Sequence, residues 1–228
     1  MLERTSAQRL IRLLSRLPRG PKPLSKRRWA TEARIPKVPE SLVQRVRSHG
    51  FRGSGQNFRK LEGDFVFVVN FQGSEAARRF YINLGAQPVF IAAEGNRPPD
   101  PKNQKEYECV FRRRVRGGSW PWDVSHQEAE VLAESMNAEM AEFFARVLTL
   151  RQRIDAGDAR ALISEQPWGV PSARAALHVA RACRALGRSD LAREMAEEGL
   201  RLAGDAPTIL LKDLRIIISS ADQELSVH

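Results

Sequence analysis

Arg112, Arg113, Arg114 and Arg116 fall within five positions, and Trp120 and Trp122 follow them across Gly117-Gly118. A guanidinium pairs bidentately with phosphate or carboxylate, and an indole offers a face for stacking or packing. Such a set could grip an acidic protein surface or a single strand of nucleic acid. The same residues have a structural use. Arginines at a strand end can pair with an acidic helix that follows, and tryptophans can close a core by lying over a sheet. Asn57, Arg59, Gln72 and Asn83 complete the candidate binding residues.

Residues for bond-making chemistry are sparse. There is no glycine-rich phosphate loop, no H-E-x-x-H and no nucleophile elbow. Gly53-Ser54-Gly55-Gln56 reads as a short turn between helix and strand, not a nucleotide cradle. Cys109 reads as a small buried hydrophobe, because a nucleophilic thiol needs a nearby His or a lowered pKa. His126 and Glu130 stand four apart, but no second His lies near enough to complete a metal site. His178 sits among alanines and reads as a packed or surface histidine. The expectation is therefore no catalytic residue, no metal ligand, no cofactor and no enzymatic activity. Cys109 and Cys183 form no disulfide framework, which fits a reducing cytoplasm. No run approaches the ~20 apolar residues that a membrane span needs.

The elements that must hold these residues follow from periodicity. Phe65, Phe67, Val69 and Phe71 alternate with Val66, Val68, Asn70 and Gln72, so the first set lines one buried strand face. Asn57–Leu61 precedes this strand across Glu62-Gly63-Asp64, a hairpin signal. Phe80-Tyr81-Ile82-Asn83-Leu84 alternates again and Gly85 ends the run. Val89-Phe90-Ile91 reads as a short fourth strand, and Tyr107–Val115 as the next. Between them, Glu94–Lys102 is a loop rich in turn formers, the kind of place where binding often sits. A short helix from about Ser41 to Ser48 precedes the strands. Asp123 or Ser125 can cap a long amphipathic helix to about Ile154, which should cover the apolar sheet face.

Four blocks carry a resemblance: Gly50-Phe51; Asn57-Phe58-Arg59; Val69-Asn70-Phe71-Gln72; and Phe80-Tyr81-Ile82-Asn83-Leu84-Gly85. In order and spacing they resemble a bacterial family known only as a domain of unknown function, over about residues 40–150. The resemblance implies a small α+β domain and supplies no catalytic residues.

Charge is uneven. Residues 1–60 hold 16 of the 37 basic residues but only Glu3, Glu32 and Glu40 of the 27 acidic ones. The high pI belongs to this front, not to the fold behind it. Residues 1–38 combine Leu10, Ile11, Leu14 and Leu17 at helical spacing with arginines, then a proline-dense stretch. They read as a disordered or partly helical tail. Contact with nucleic acid or an anionic surface, docking to a partner, and a transit peptide are the other readings.

Past Gly157 the pattern is helical. The run RACRALGRSDLAREMAEEGLRLAGDAP, residues 181–207, resembles one tetratricopeptide-type hairpin, with Ala192 for close packing and Pro207 after the second helix. It lacks the usual aromatic positions, and a single unit makes no solenoid. Ile209–Ser220 should form a last helix.

The sequence thus predicts an α+β protein. An antiparallel meander sheet of four to five strands is covered by a long helix and followed by a small α-helical hairpin module. The divisions are 1–38, 39–155 and 156–228. The function expected is a non-catalytic protein-binding module of adaptor or immunity type. The alternative is nucleic-acid binding through residues 1–38 and the Arg112–Trp122 patch, and the third reading is an enzyme without a local motif.

Overall fold

Alternation in Phe65–Ser74 builds the central strand, β3, of the computed structural model, which describes residues 37–165, 169–204 and 208–225. Two β-prone neighbours flank it: β2 (Asn57–Glu62) and β4 (Arg79–Pro88). Their registers place Phe58 opposite Val69 and Phe71 opposite Ile82, so one face is apolar along its whole length. The complete antiparallel order is β1-β2-β3-β4-β5, with β1 at Arg52–Ser54 and β5 at Phe111–Arg114. A two-residue strand, β6 (Trp120–Pro121), pairs with the start of β4. The meander is as expected, with two strands added by residues that read as turn or surface: β1 and β6.

Helices α1 (Glu40–Ser48) and α2 (His126–Leu148) cover the apolar face. Ser125 is the cap of α2. Its hydroxyl accepts from the Glu128 N–H at 3.3 Å, and the Glu128 carboxylate accepts from the Ser125 N–H at 2.9 Å. Two orphan N–H groups are satisfied at once. Phe144 lies 4.5 Å from Phe67 and 5.7 Å from Phe51, centroid to centroid. Each such buried side chain contributes about 1.5–3 kcal/mol. The long helix stops at Thr149 rather than continuing to Ile154, and α3 (Leu150–Asp155) takes over.

The second sheet face is covered by residues 89–110. Two expected strands are not there. Residues 89–91 form a turn after Pro88, with Phe90 packed edge-on against Phe65 at 6.2 Å. Glu106–Glu108 is a 3-10 turn, so β5 begins only at Phe111. The cause is Cys109. It joins Val66 and Val68 in a small apolar cluster on this face and lies over Gly85, where a Cβ would come within 2.8 Å of its sulfur. Gly85 therefore does not end β4; it makes room for the returning chain.

The remaining helices are α4 (Ala159–Ser164), α5 (Ser172–Ala185), α6 (Ser189–Ala203) and α7 (Thr208–Leu225). They pack through small residues: a Cβ on Gly199 would stand 2.7 Å from Leu214 and 3.2 Å from Ala176. The apolar core runs unbroken from Leu42 in α1 to Ile217 in α7. The basic front up to residue 36, and Pro167, Trp168 and Pro207, lie outside the described residues.

Candidate binding cleft

A cleft of about 590 Å³ opens where the returning segment of the sheet meets α5 and α7. One wall is Glu94, Arg97, Tyr107, Glu108 and Arg112. The other is Arg174, His178 and Arg181 of α5 with Ile209 and Asp213 of α7. On α5 the three polar residues fall at i, i+4 and i+7, which puts them on one helix face. The opposite wall is shaped by a bridge between Ala93 and Arg97, closed by Asn96 at a φ of 61°.

Two ion pairs brace the walls from within and one joins them. Arg97 meets Glu108 at 2.7 Å, Arg174 meets Glu94 at 2.9 Å, and Arg181 meets Asp213 at 2.9 Å. Glu94 also accepts from the Nε2 of His178 at 3.1 Å. Burial alone would raise the Glu94 pKa; the His178 N–H and the Arg174 guanidinium outweigh it and hold the carboxyl at about 2. Burial pushes His178 the other way, below its usual value, against the pull of Glu94. Its Nδ1 has no partner. Neutral imidazole with its proton on Nε2 leaves only a lone pair at Nδ1, whereas imidazolium would bury an unsatisfied N–H. His178 is thus neutral at pH 7.

Arg112 differs from the other arginines of the cleft. It has no carboxylate partner among the described residues, and its buried Nε makes no hydrogen bond. At the rim, Tyr107 is 45% exposed and Ile209 is 76% exposed.

Residues 42–150 match the model of a family described as a domain of unknown function, DUF4304. This segment is similar to DUF4304 domains. Comparisons with curated proteins and with solved structures gave no match. The DUF4304-like domain supplies the sheet, α1 and α2, and therefore the first wall of the cleft. The second wall comes from helices beyond its end. The cleft is a junction site.

The sequence candidates separate in the fold. Arg112 lines the cleft. Arg113 turns to α2 and pairs with Glu139 at 3.5 Å and Glu142 at 3.1 Å. Arg114 stays on the second sheet face and joins Asn57, Gln72 and Asn83 in one hydrogen-bonded row. Asn70 donates to Asn57 at 3.1 Å, Asn83 to Gln72 at 2.9 Å, and Arg114 to Asn83 at 3.0 Å while lying over the Tyr81 ring. Arg59 donates to the Gln104 carbonyl at 2.5 Å and holds the covering segment down. Arg116 is exposed, and its backbone N–H donates to Glu139 at 2.7 Å. Trp120 and Trp122 are half-buried against the core, and Trp122 donates to the Arg79 carbonyl at 2.9 Å. The arginines and tryptophans are thus not one surface.

Sequence reasoning missed Tyr107, Arg174, Arg181, Ile209 and Asp213 as site residues. The Arg174-His178-Arg181 spacing on an alanine-rich helix was the available signal. Among the described residues, no group of three or more His, Cys, Asp or Glu side chains is placed to hold a metal. No described helix is long and apolar enough to cross a membrane.

Proposed function

We propose that the protein is a non-catalytic protein-binding module that holds its partner in the cleft between the DUF4304-like domain and α5/α7. The observation that carries this reading is the combination at the cleft mouth: walls whose carboxylates are already paired, joined across the cleft by Glu94 with Arg174 and His178, and Tyr107 and Ile209 standing exposed on the rim. Exposed aromatic and aliphatic side chains beside a preformed concavity are what a partner side chain packs against. The ionisable groups argue for binding over chemistry. His178 is enclosed and bonded to Glu94. Burial raises both thiols, Cys183 to about 12, so neither is a thiolate at neutral pH. Nucleic-acid binding keeps the basic front in its favour. It loses the stacking argument, since Trp120 and Trp122 pack on the core and Arg113 and Arg114 are engaged.

A photo-cross-linking residue placed at Ile209 tests the reading, with one at Val131 of α2 as the control. Val131 is 68% exposed and lies outside the cleft. Irradiation in the protein's own cells should give a discrete protein adduct from position 209 and none of the same size from 131. No adduct from 209, or the same adduct from both, would overturn it.

A further inference from the structure

We propose that the cleft recognises an acidic side chain of the partner polypeptide, which pairs with Arg112. The inference rests on the protein-binding reading above and names its chemistry.

The argument is one of charge balance in a built site. Four guanidinium groups line the cleft, from Arg97, Arg112, Arg174 and Arg181, against three carboxylates from Glu94, Glu108 and Asp213. Each carboxylate has its own arginine at 2.7–2.9 Å. One positive charge is left over, and it is the one whose Nε is buried without a hydrogen bond. A buried unsatisfied donor costs free energy until an acceptor arrives, and a guanidinium is best satisfied by a planar carboxylate.

The surplus is a single charge, which sets the ligand class. A phosphate dianion would balance Arg112 and then face three carboxylates already at home in the walls. A carboxylate leaves the cleft neutral. The rim decides the source: a small acid would leave Tyr107 and Ile209 in water, while a polypeptide covers them as its acidic residue reaches Arg112.

Selection from a phage-displayed library of random dodecapeptides, on the full chain and on its Arg112→Gln variant, tests this. Removing Arg112 breaks no hydrogen bond at Nε, so the variant should unfold at the same temperature as the parent. The parent should enrich peptides with Asp or Glu at one fixed position beside an apolar residue. Arg112→Gln should lose that preference and bind a selected peptide about tenfold to a hundredfold more weakly. Ile209→Asp should weaken the same peptide without abolishing the acid preference. An acidic preference that survives in Arg112→Gln belongs to the basic front and overturns the proposal. Peptides that need Ile209 but show no acidic position overturn it while leaving the protein-binding reading intact. If neither protein enriches any peptide, both are wrong. If glutarate alone competes as well as the peptide, the site takes a small acid and the proposal is overturned.

Discussion

Gly169 stands against the carbonyl oxygen of Arg112: a Cβ at position 169 would lie 2.4 Å from that oxygen, and the residue has a φ of +57°. Both the close approach and the left-handed backbone exclude a side chain. This close approach brings the chain before α5 against β5, at the junction between the helices past Ser164 and the sheet. Gly169→Ala should therefore lower stability by about 2–4 kcal/mol. Urea unfolding of both proteins measures it, and an unchanged midpoint would contradict a close approach that excludes a side chain at 169.

Gly85 plays a similar part beneath the cleft. A Cβ there would meet the Cys109 sulfur at 2.8 Å and the Glu106 α-carbon at 3.3 Å. Gly85→Ala should lift the 3-10 turn that carries Tyr107 and Glu108 and cost about 1–3 kcal/mol. Cys109→Ala removes the nearer atom. The double variant should thus be more stable than the sum of the single losses predicts, a coupling that a double-mutant cycle reads directly.

The same pair explains what was legible in the sequence. The alternation in Phe65–Phe71 predicts β3 and its buried face because every odd position is apolar. The periodic run after Ser125 predicts α2 for the same reason. Gly85 misleads: a glycine in a strand is read as a terminator, and only the distant Cys109 reveals that it is a space for another part of the chain. Tyr107–Cys109 misleads in turn, since Cys109 there obeys a contact with Val66 and Val68 and not the local β-propensity. The cleft joins Glu94 to His178 and Arg174 across 80 or more residues, and no local pattern carries such a pairing.

Acid should weaken the fold through the Glu94–His178 pair. The native Glu94 pKa, about 2, lies below its ordinary 4.5, so its contribution is present above pH 4.5 and is lost as pH falls toward 2. The native His178 pKa lies below its ordinary 6.5, so the unfolded chain takes up a proton first as pH drops through that value. Both effects make stability fall with falling pH. Glu94→Gln should flatten the lower part of the curve by about 2 kcal/mol after allowing for solvent in the open cleft. Urea midpoints taken from pH 7 downward test this; parallel curves for the two proteins would contradict it.

Arg113 separates a structural role from a nucleic-acid role. Its side chain is 11% exposed and lies between Glu139 and Glu142, holding the Glu142 pKa down. Arg113→Gln removes the cation beside the buried Glu139 carboxylate, leaving it only the Arg116 N–H, and should cost about 3 kcal/mol. Retention on a single-stranded DNA column should not change, after correction for unfolded protein. A salt-dependent loss of retention with unchanged stability would instead place Arg113 in a binding surface.

The most direct measurement is a nuclear magnetic resonance titration of the full chain with the acidic peptide that the parent selects. It would follow the Arg112 Nε–H and the backbone amides. The cleft account predicts a large shift of the Arg112 Nε–H, with changes at Tyr107, Glu108, Leu177 and Ile209. Changes confined to Asn57, Gln72 and Arg114, or to Trp120–Trp122, with Arg112 unmoved, would contradict it.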